Sequence, residues 1–424
     1  MNTGTDTSYK QYLREVVRPQ EGDIPAFIFS DPDVYKLEIE QIFHKTWVFV
    51  AHESEIPEPG DYVSRQLGEW PVIVARGEDG VIRIFLNACR HKGMRVCNAE
   101  LGNSSHFRCP YHGFTYSNKG DLIGVPYQKE VYGNVLKKEE LGLLQARAES
   151  YRGLIFGTWN QQAESLNEFL GGMKWYLDII VGRAEMEVVG PPQKWIADTD
   201  WKLAADNFVS DSYHTMFAHR SIGAIGEIPR ADYFKDGYQI SLENGHGLGM
   251  TANHEKDEII FAEELRPEFE KNLTQEHLDT LKFMVNSHGN VSPNLSFLIS
   301  EYWLKGKKIS FTTLRLWHPV GPGKTEVLSW FLVEKNAPEW WRELSKQVYV
   351  INFGSSGMFE QDDTECWWSI TSNAKAPISF KYIQGLGDEP IDHFPGPGRV
   401  YLGKWREANA RSFFQWWLDR VTAD

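Results

Sequence analysis

The sequence predicts an α+β protein in which residues 44–160 form a compact all-β module and the remainder builds an antiparallel sheet covered by helices. Three observations carry this prediction. Short apolar runs punctuated by glycine turns fill 44–160, three later segments alternate apolar and polar residues, and a stretch of helical period follows them. A chain of 424 residues, 42% hydrophobic and 13% aromatic, has side chains enough for a large core and length enough for two domains.

In chain order, the runs Val72–Ala75 and Val81–Phe85 are separated by turn signals at Gly60, Gly68 and Asp79-Gly80, which reads as small antiparallel strands. Similar punctuation continues at Gly113, Gly120, Gly124 and Gly133 and leads to the strand-like Gly153–Trp159. After Asn160 the texture changes, and Leu166–Ile180 carries a helical period. Leu295–Ile299, Ile309–Trp317 and Val327–Val333 read as consecutive antiparallel strands. Trp341, Leu344, Val348 and Ile351 recur at helical spacing, so a long helix is expected to cover that sheet.

Charge and cysteine usage bound the function. A formal charge of −14 spread over mixed-sign sequence argues against a binder of nucleic acid or anionic membranes, which needs clustered Lys and Arg. No apolar run approaches the roughly 20 residues needed to span a bilayer, and residues 1–20 lack the basic-then-apolar order of a secretory signal. Four cysteines do not make a disulfide scaffold in a chain of this length, so a reducing, cytoplasmic setting is the simplest expectation. Gly321-Pro322-Gly323-Lys324-Thr325 lacks the upstream glycine of a phosphate loop and lies between strands, so it reads as a turn. No G-x-G-x-x-G stands at a strand-to-helix junction, and nicotinamide is expected to bind another protein.

Two constellations carry chemistry. Cys89-Arg90-His91 is followed, after 17 intervening residues, by Cys109-Pro110-Tyr111-His112, giving C-x-H-x17-C-x2-H. Each half offers one thiolate and one imidazole from a short turn, with Gly93 and Gly113 just after. This suits an asymmetric [2Fe-2S] cluster in which two cysteines hold one iron and two histidines the other, an exchange of ligands that raises the reduction potential. A structural zinc also takes two Cys and two His, but usually pairs like with like. The second constellation is His214 and His219 at the end of Asp206–His219. On a continuous helix Asn207, Asp211 and His214 share a face and His219 points away, so the helix must end or bulge between His214 and His219 if both imidazoles meet one metal. Phe353–Asp363 supplies the acidic cluster from which a third ligand can come. Two His and one carboxylate suit Fe(II) with open positions for O2, although zinc hydrolases use similar sets. The other histidines, His288 among them, read as surface or satisfied core residues, and Cys97 and Cys366 as core cysteines.

At these residues the sequence resembles the Rieske non-haem iron ring-hydroxylating oxygenases, in particular the large (alpha) subunits of biphenyl and naphthalene dioxygenase type. CRHKG at 89–93 and CPYHGF at 109–114 are similar to the family's cluster loops, DNFVSDSYHTMFAH at 206–219 to its iron helix, and FGSSGMFEQDD at 353–363 to its carboxylate segment. The likeness covers nearly the whole chain. It implies a Rieske domain over 44–160 inserted into an α+β catalytic domain made of 1–43 and 161–424. It further implies cluster ligands Cys89, His91, Cys109 and His112, and iron ligands His214, His219 and Asp363, where counting from Phe353 favours Asp363 over Asp362.

Asp211 matches the family's acidic bridge between a cluster histidine of one subunit and an iron histidine of the next, here His112 and His214, which implies a trimeric ring. Asn207, Phe208, Phe353 and Phe359 match positions in or beside the substrate pocket. The departures, FGSSG for the usual FGPAG, Lys92 for Arg and Phe114 for Trp, remove no ligand.

The implied activity is a terminal oxygenase that takes electrons from NAD(P)H through a reductase or ferredoxin and uses O2 to dihydroxylate an aromatic substrate. A monooxygenase or demethylase on the same scaffold is the alternative. A Rieske electron carrier is the reading from another class, and it leaves the residues after Asn160 without a purpose. The resemblance also allows a small beta subunit, in an alpha3 or alpha3beta3 assembly. No arginine stands out as a carboxylate clamp, so the sequence does not separate an aromatic hydrocarbon from an aromatic acid.

Overall fold

A computed structural model describes residues 3–224, 236–256 and 258–423. The chain divides into two compact units, residues 43–166 and residues 1–42 with 167–424.

The first unit is built of β-strands: β1 (Val48–His52), β2 (Asp61–Leu67), β3 (Trp70–Arg76), β4 (Ile82–Leu86), β5 (Leu101–Asn103), β6 (His106–Arg108), β7 (Thr115–Ser117), β8 (Leu122–Gly124), β9 (Gln145–Tyr151) and β10 (Leu154–Thr158). Seven form an antiparallel sheet in the order β1-β10-β9-β4-β3-β2-β5, and β6-β7-β8 form a second, smaller one. The expected turns are present: Gly68 joins β2 to β3 at φ +64° and Gly80 joins β3 to β4 at φ +76°, a region that glycine enters without steric cost. Ile73, Phe85, Phe107, Phe114 and Tyr116 are buried together with Cys89 and Cys109, so the core of this unit closes directly beneath the two cysteine loops.

The second unit holds a nine-stranded antiparallel sheet made of β11 (Met186–Val188), β12 (Gln193–Ala197), β13 (Gly237–Ser241), β14 (Gly247–Ala252), β15 (Met284–Val291), β16 (Leu295–Leu304), β17 (Lys307–Gly321), β18 (Lys324–Glu334) and β19 (Arg399–Leu402). Its order is β11-β18-β17-β16-β15-β14-β13-β19, with β12 also pairing β18. The glycine-rich run at 321–325 is the β17–β18 hairpin turn. The helices are α1 (Trp201–Val209), α2 (Thr215–Ala218), α3 (Arg220–Ala224), α4 (Glu339–Phe353), α5 (Met358–Ser372) and α6 (Ala408–Val421). α1 lies against β15, β16 and β17, and α4 packs on β17. Among the described residues no helix is long and apolar enough to cross a membrane.

Three expectations need correction. Leu166–Ile180 is not one helix, because Gly171 at φ +47° divides it into Leu166–Leu170 and Met173–Ile180. α4 forms where expected but buries Trp341, Ser345, Val348, Tyr349 and Asn352, while Ile351 is exposed. Ser345 and Tyr349 can take that face because the sheet satisfies them: Ser345 Oγ donates to the Ser310 carbonyl at 2.7 Å, and the Tyr349 hydroxyl lies 2.6 Å from Ser329 Oγ. Cys97 is buried as expected, but Cys366, on the outer side of α5, is exposed.

Candidate metal centres and substrate cavity

Two loops with the same backbone pattern present the cysteines and histidines of the first unit. The amide of Cys89 donates to the Met94 carbonyl at 2.8 Å and that of Gly93 to the Cys89 carbonyl at 2.8 Å. In the second loop the amide of Cys109 donates to Phe114 at 2.8 Å and that of Gly113 to Cys109 at 3.0 Å. Closing each loop requires a left-handed residue, and Gly93 (φ +73°) and Gly113 (φ +74°) supply it. The rings of His91 and His112 meet with centroids 4.5 Å apart, and His91 stacks on Phe114 at 5.0 Å.

This donor set fits an iron-sulfur cluster. His91 Nδ1 is buried with no hydrogen-bond partner, a cost that a metal bond would remove. Burial pushes the Cys109 thiol up, with Cys89 beside it, while the amides of Tyr111 and His112 favour its thiolate. The Tyr116 hydroxyl accepts the Arg90 amide at 3.0 Å and lies 3.3 Å from Cys89 Sγ, leaving its own hydrogen for the sulfur.

In the second unit the expected continuous helix through Asp206–His214 is absent. α1 ends at Val209, and Ser210 to Tyr213 turn the chain, with Asp211 Oδ1 accepting the amides of Tyr213 and His214 at 3.1 Å each. The four-residue α2 then places His214 before its start and His219 after its end. Their rings come within 5.1 Å. Two chain breaks therefore bring the imidazoles together, one before His214 and one at His219.

The third donor comes from α5. His214 Nε2 lies 3.2 Å and His219 Nε2 3.3 Å from Asp363 Oδ1, and one ligand atom of each residue lies within 4.8 Å of the others. Asp363 Oδ1 is buried and makes no hydrogen bond, although two nitrogens stand this close. Three donor atoms this close together, with Asp363 Oδ1 left out of any hydrogen bond, can share one cation. Burial opposes charge on Asp363, yet His219 and His214 hold its carboxyl well below the usual carboxylate range. The other ring nitrogens face different carboxylates: His214 Nδ1 is 3.3 Å from Asp211 Oδ2, and His219 Nδ1 is 3.2 Å from Asp362 Oδ2. The second contact is a hydrogen bond and fixes the tautomer that leaves His219 Nε2 free for a metal, whereas His214 Nδ1 is buried beside Asp211 without a hydrogen bond. Asp362, weighed in the sequence only as a rival ligand, is thereby the outer partner of His219.

The placement of α5 rests on a buried ion pair. Arg315 Nη2, on β17, donates to the Phe353 carbonyl at 2.5 Å and to Glu360 Oε2 at 2.8 Å. Gly357, just before α5, sits so tightly that a β-carbon there would lie 2.4 Å from the Asn352 carbonyl oxygen. α4 and α5 thus meet at a corner that only glycine permits.

A cavity of about 320 Å³ opens on His214, His219 and Asp363. One wall is aromatic, with Phe208, Phe311, Phe353 and Phe359, and the rings of Phe353 and Phe359 stack at 5.2 Å. Asn207 and Asp211 also line it. Sequence reasoning missed the polar part of the lining, which holds Asn253, Asn286, His288 and Lys404. His288 Nδ1 lies 2.7 Å from the Phe208 carbonyl and Nε2 lies 2.8 Å from Ser212 Oγ, so it is a neutral imidazole, pushed down to about 3 by burial and by Lys404.

Comparison with known proteins gives a consistent result. Residues 46–140 match the model of the Rieske [2Fe-2S] domain, and residues 168–423 that of the ring hydroxylating alpha subunit (catalytic domain). The chain is 35% identical to the N,N-dimethyl phenylurea N-demethylase subunit alpha of Sphingobium sp. (strain YBL2), over 99% of this chain and 96% of that one. It is 35% identical to the benzene 1,2-dioxygenase subunit alpha of Pseudomonas putida, over 95% and 92%. The crystal structure of naphthalene 1,2-dioxygenase from Rhodococcus sp. bound to indole superimposes with a TM-score of 0.95 at 45% identity, covering 98% of this chain and 99% of that chain.

Proposed function

The chain belongs to the ring-hydroxylating alpha subunits, the terminal oxygenases that carry a Rieske [2Fe-2S] cluster and a mononuclear iron, and on that footing we propose that it dihydroxylates an aromatic substrate. The observation that supports this most is the convergence of His214, His219 and Asp363 on one wall of an aromatic-lined cavity. Bound there, iron would supply the activation of O2. We propose Cys89, His91, Cys109 and His112 as the ligands of the cluster.

The residues have separable tasks. Asp362 holds an imidazole proton at Nδ1 of His219, keeping its Nε2 lone pair for the metal, and Asp211 stands 3.3 Å from Nδ1 of His214, where its charge favours the same tautomer. Phe353 and Phe359 form a flat, apolar surface that orients a planar ring and keeps water from it. Asn207 lines the same cavity, where its amide can position substrate.

Family members work with a reductase or ferredoxin that delivers electrons from NAD(P)H. In the proposed assembly Asp211, part-exposed and already beside His214, also receives His112 of a second chain, which makes the working unit a homotrimer, with or without a small beta subunit. All four cysteines are free, which supports a reducing, cytoplasmic setting.

Labelled dioxygen tests the reaction. With a surrogate reductase and ferredoxin and a panel of aromatic compounds, both oxygen atoms of one labelled molecule are expected in the product. Incorporation of a single atom throughout the panel would point to a monooxygenase or demethylase.

A further inference from the structure

The proposed iron site borders a second cavity, of about 410 Å³, which shares Asn207, Asp211, His214 and Asp363 with the substrate cavity. Asp206, Tyr382 and Glu407 line the second cavity and not the first. Asp206 stands on α1 and is 8% exposed. The Tyr382 hydroxyl donates to its Oδ2 at 2.8 Å, while Oδ1 is buried with no hydrogen-bond partner. The charged groups around it do not favour a carboxylate there. Asp211 and Glu407 are acids themselves, Lys381 Nζ donates to Asp23 Oδ1 at 2.5 Å, and Arg411 Nη1 donates to the carbonyls of Tyr382 and Gln384 at 3.0 and 3.1 Å. Burial, with Asp211 and Glu407 nearby, pushes the Asp206 carboxyl well above its ordinary range. With Oδ2 accepting from Tyr382, the proton of the neutral acid belongs on Oδ1.

We infer that this second cavity is the proton path of the site, with Asp206 as the group that hands protons from solvent towards the oxygen atoms being added to the substrate. The inference rests on the oxygenase reading above. Placing both atoms of O2 on a ring as hydroxyl groups takes two electrons and two protons; the reductase or ferredoxin supplies the electrons, and water supplies the protons. The aromatic part of the substrate cavity keeps water from the ring, so the protons need a route of their own. The second cavity has room for a file of water molecules and polar side chains to hold them. In each proton step the carboxyl O–H bond of Asp206 breaks as its proton joins a neighbouring water, and Asp206 then regains a proton from solvent. Asn207, next in the chain and bordering both cavities, is the hydrogen-bonding group at the crossing. Tyr382 keeps its own proton, since burial and Asp206 push its hydroxyl well above the ordinary value, and it holds the carboxyl in one orientation.

A merely structural Asp206 would affect activity without tying it to a proton. Infrared spectroscopy of the iron-loaded, full-length protein reads the acid directly: at neutral pH the unaltered chain should show a protonated-carboxyl band that Asp206→Asn lacks. Turnover should fall as pH rises through the ionisation of that band, because the acid form is the donor. Asp206→Asn should keep its iron, lose turnover about 100-fold or more, the effect of a missing general acid, and no longer follow that ionisation. Asp206→Glu should recover most of both. Tyr382→Phe removes the hydrogen bond to Oδ2 and should move the band to higher frequency, which identifies it even where Asp206→Asn does not fold. Absence of the band from the unaltered protein, or an unchanged pH profile in Asp206→Asn, overturns the inference. Oxygenation without the band contradicts this inference and spares the oxygenase reading, and the band without oxygenation of any aromatic compound does the reverse.

Discussion

Asp362 and Asp363 stand side by side on α5, yet they face the two nitrogens of one imidazole, Nδ1 and Nε2 of His219. Their loss should therefore differ in kind. Asp363→Ala removes a proposed ligand and should abolish iron binding at this centre while the visible chromophore of the cluster remains. Asp362→Ala removes an outer partner, and iron affinity should fall about 10- to 100-fold, the usual effect of such a change, as titration of the apoprotein would register. Asp211→Asn should keep both metals and nearly abolish coupled turnover; full activity in that variant would contradict the proposed bridging role. Tyr116→Phe removes a hydrogen bond to the Cys89 sulfur and should lower the cluster potential, which protein-film voltammetry reads directly. At this scale the sequence disclosed donors whose chemistry depends on residue type and spacing, such as Cys89-x-His91. It did not disclose Lys404 or His288, because burial against a cavity has no local signature. A lysine four residues before the start of α6 looks like any surface lysine until the sheet is assembled around it.

Elements explain why those residues meet. α1 stops three residues short of Ser212, and without the turn at 210–213 Asp211 and His214 would stay on one helical face with His219 pointing away. Spacing alone required a break between His214 and His219 but not the earlier one at 210–213, because Asp211 itself caps that turn through two backbone amides and that bond depends on tertiary position. The glycines of the carboxylate segment were legible as a motif, but their reason appears only where α4 meets α5. Gly357→Ala should force the two helices apart and carry Asp363 from His214 and His219, so that iron content falls while the cluster is unaffected. A variant that kept full iron occupancy would show that the corner has slack the packing does not reveal. Breaking the buried Arg315–Glu360 pair by Arg315→Met should destabilise by about 3–5 kcal/mol, the typical cost of leaving one buried charge alone, measurable by denaturant titration.

For the whole molecule, the division of labour follows from size and chemistry. The unit of residues 43–166 closes a small β-core under two cysteine loops, and the unit of 167–424 with 1–42 carries a sheet broad enough to enclose a cavity. The fold class was readable from periodicity, because strands and helices impose different spacings on apolar residues. The volume of the cavity was not, since it arises between elements distant in sequence, β15 to β17 and α5 among them. The account as a whole depends on two distinct iron sites in one polypeptide. Iron and acid-labile sulfide analysis of the purified protein beside Asp363→Ala measures this directly. The wild-type chain should hold more iron than sulfide, and the variant should lose that excess and stay red-brown; zinc in place of iron, or iron and sulfide in equal amounts in both proteins, would contradict it.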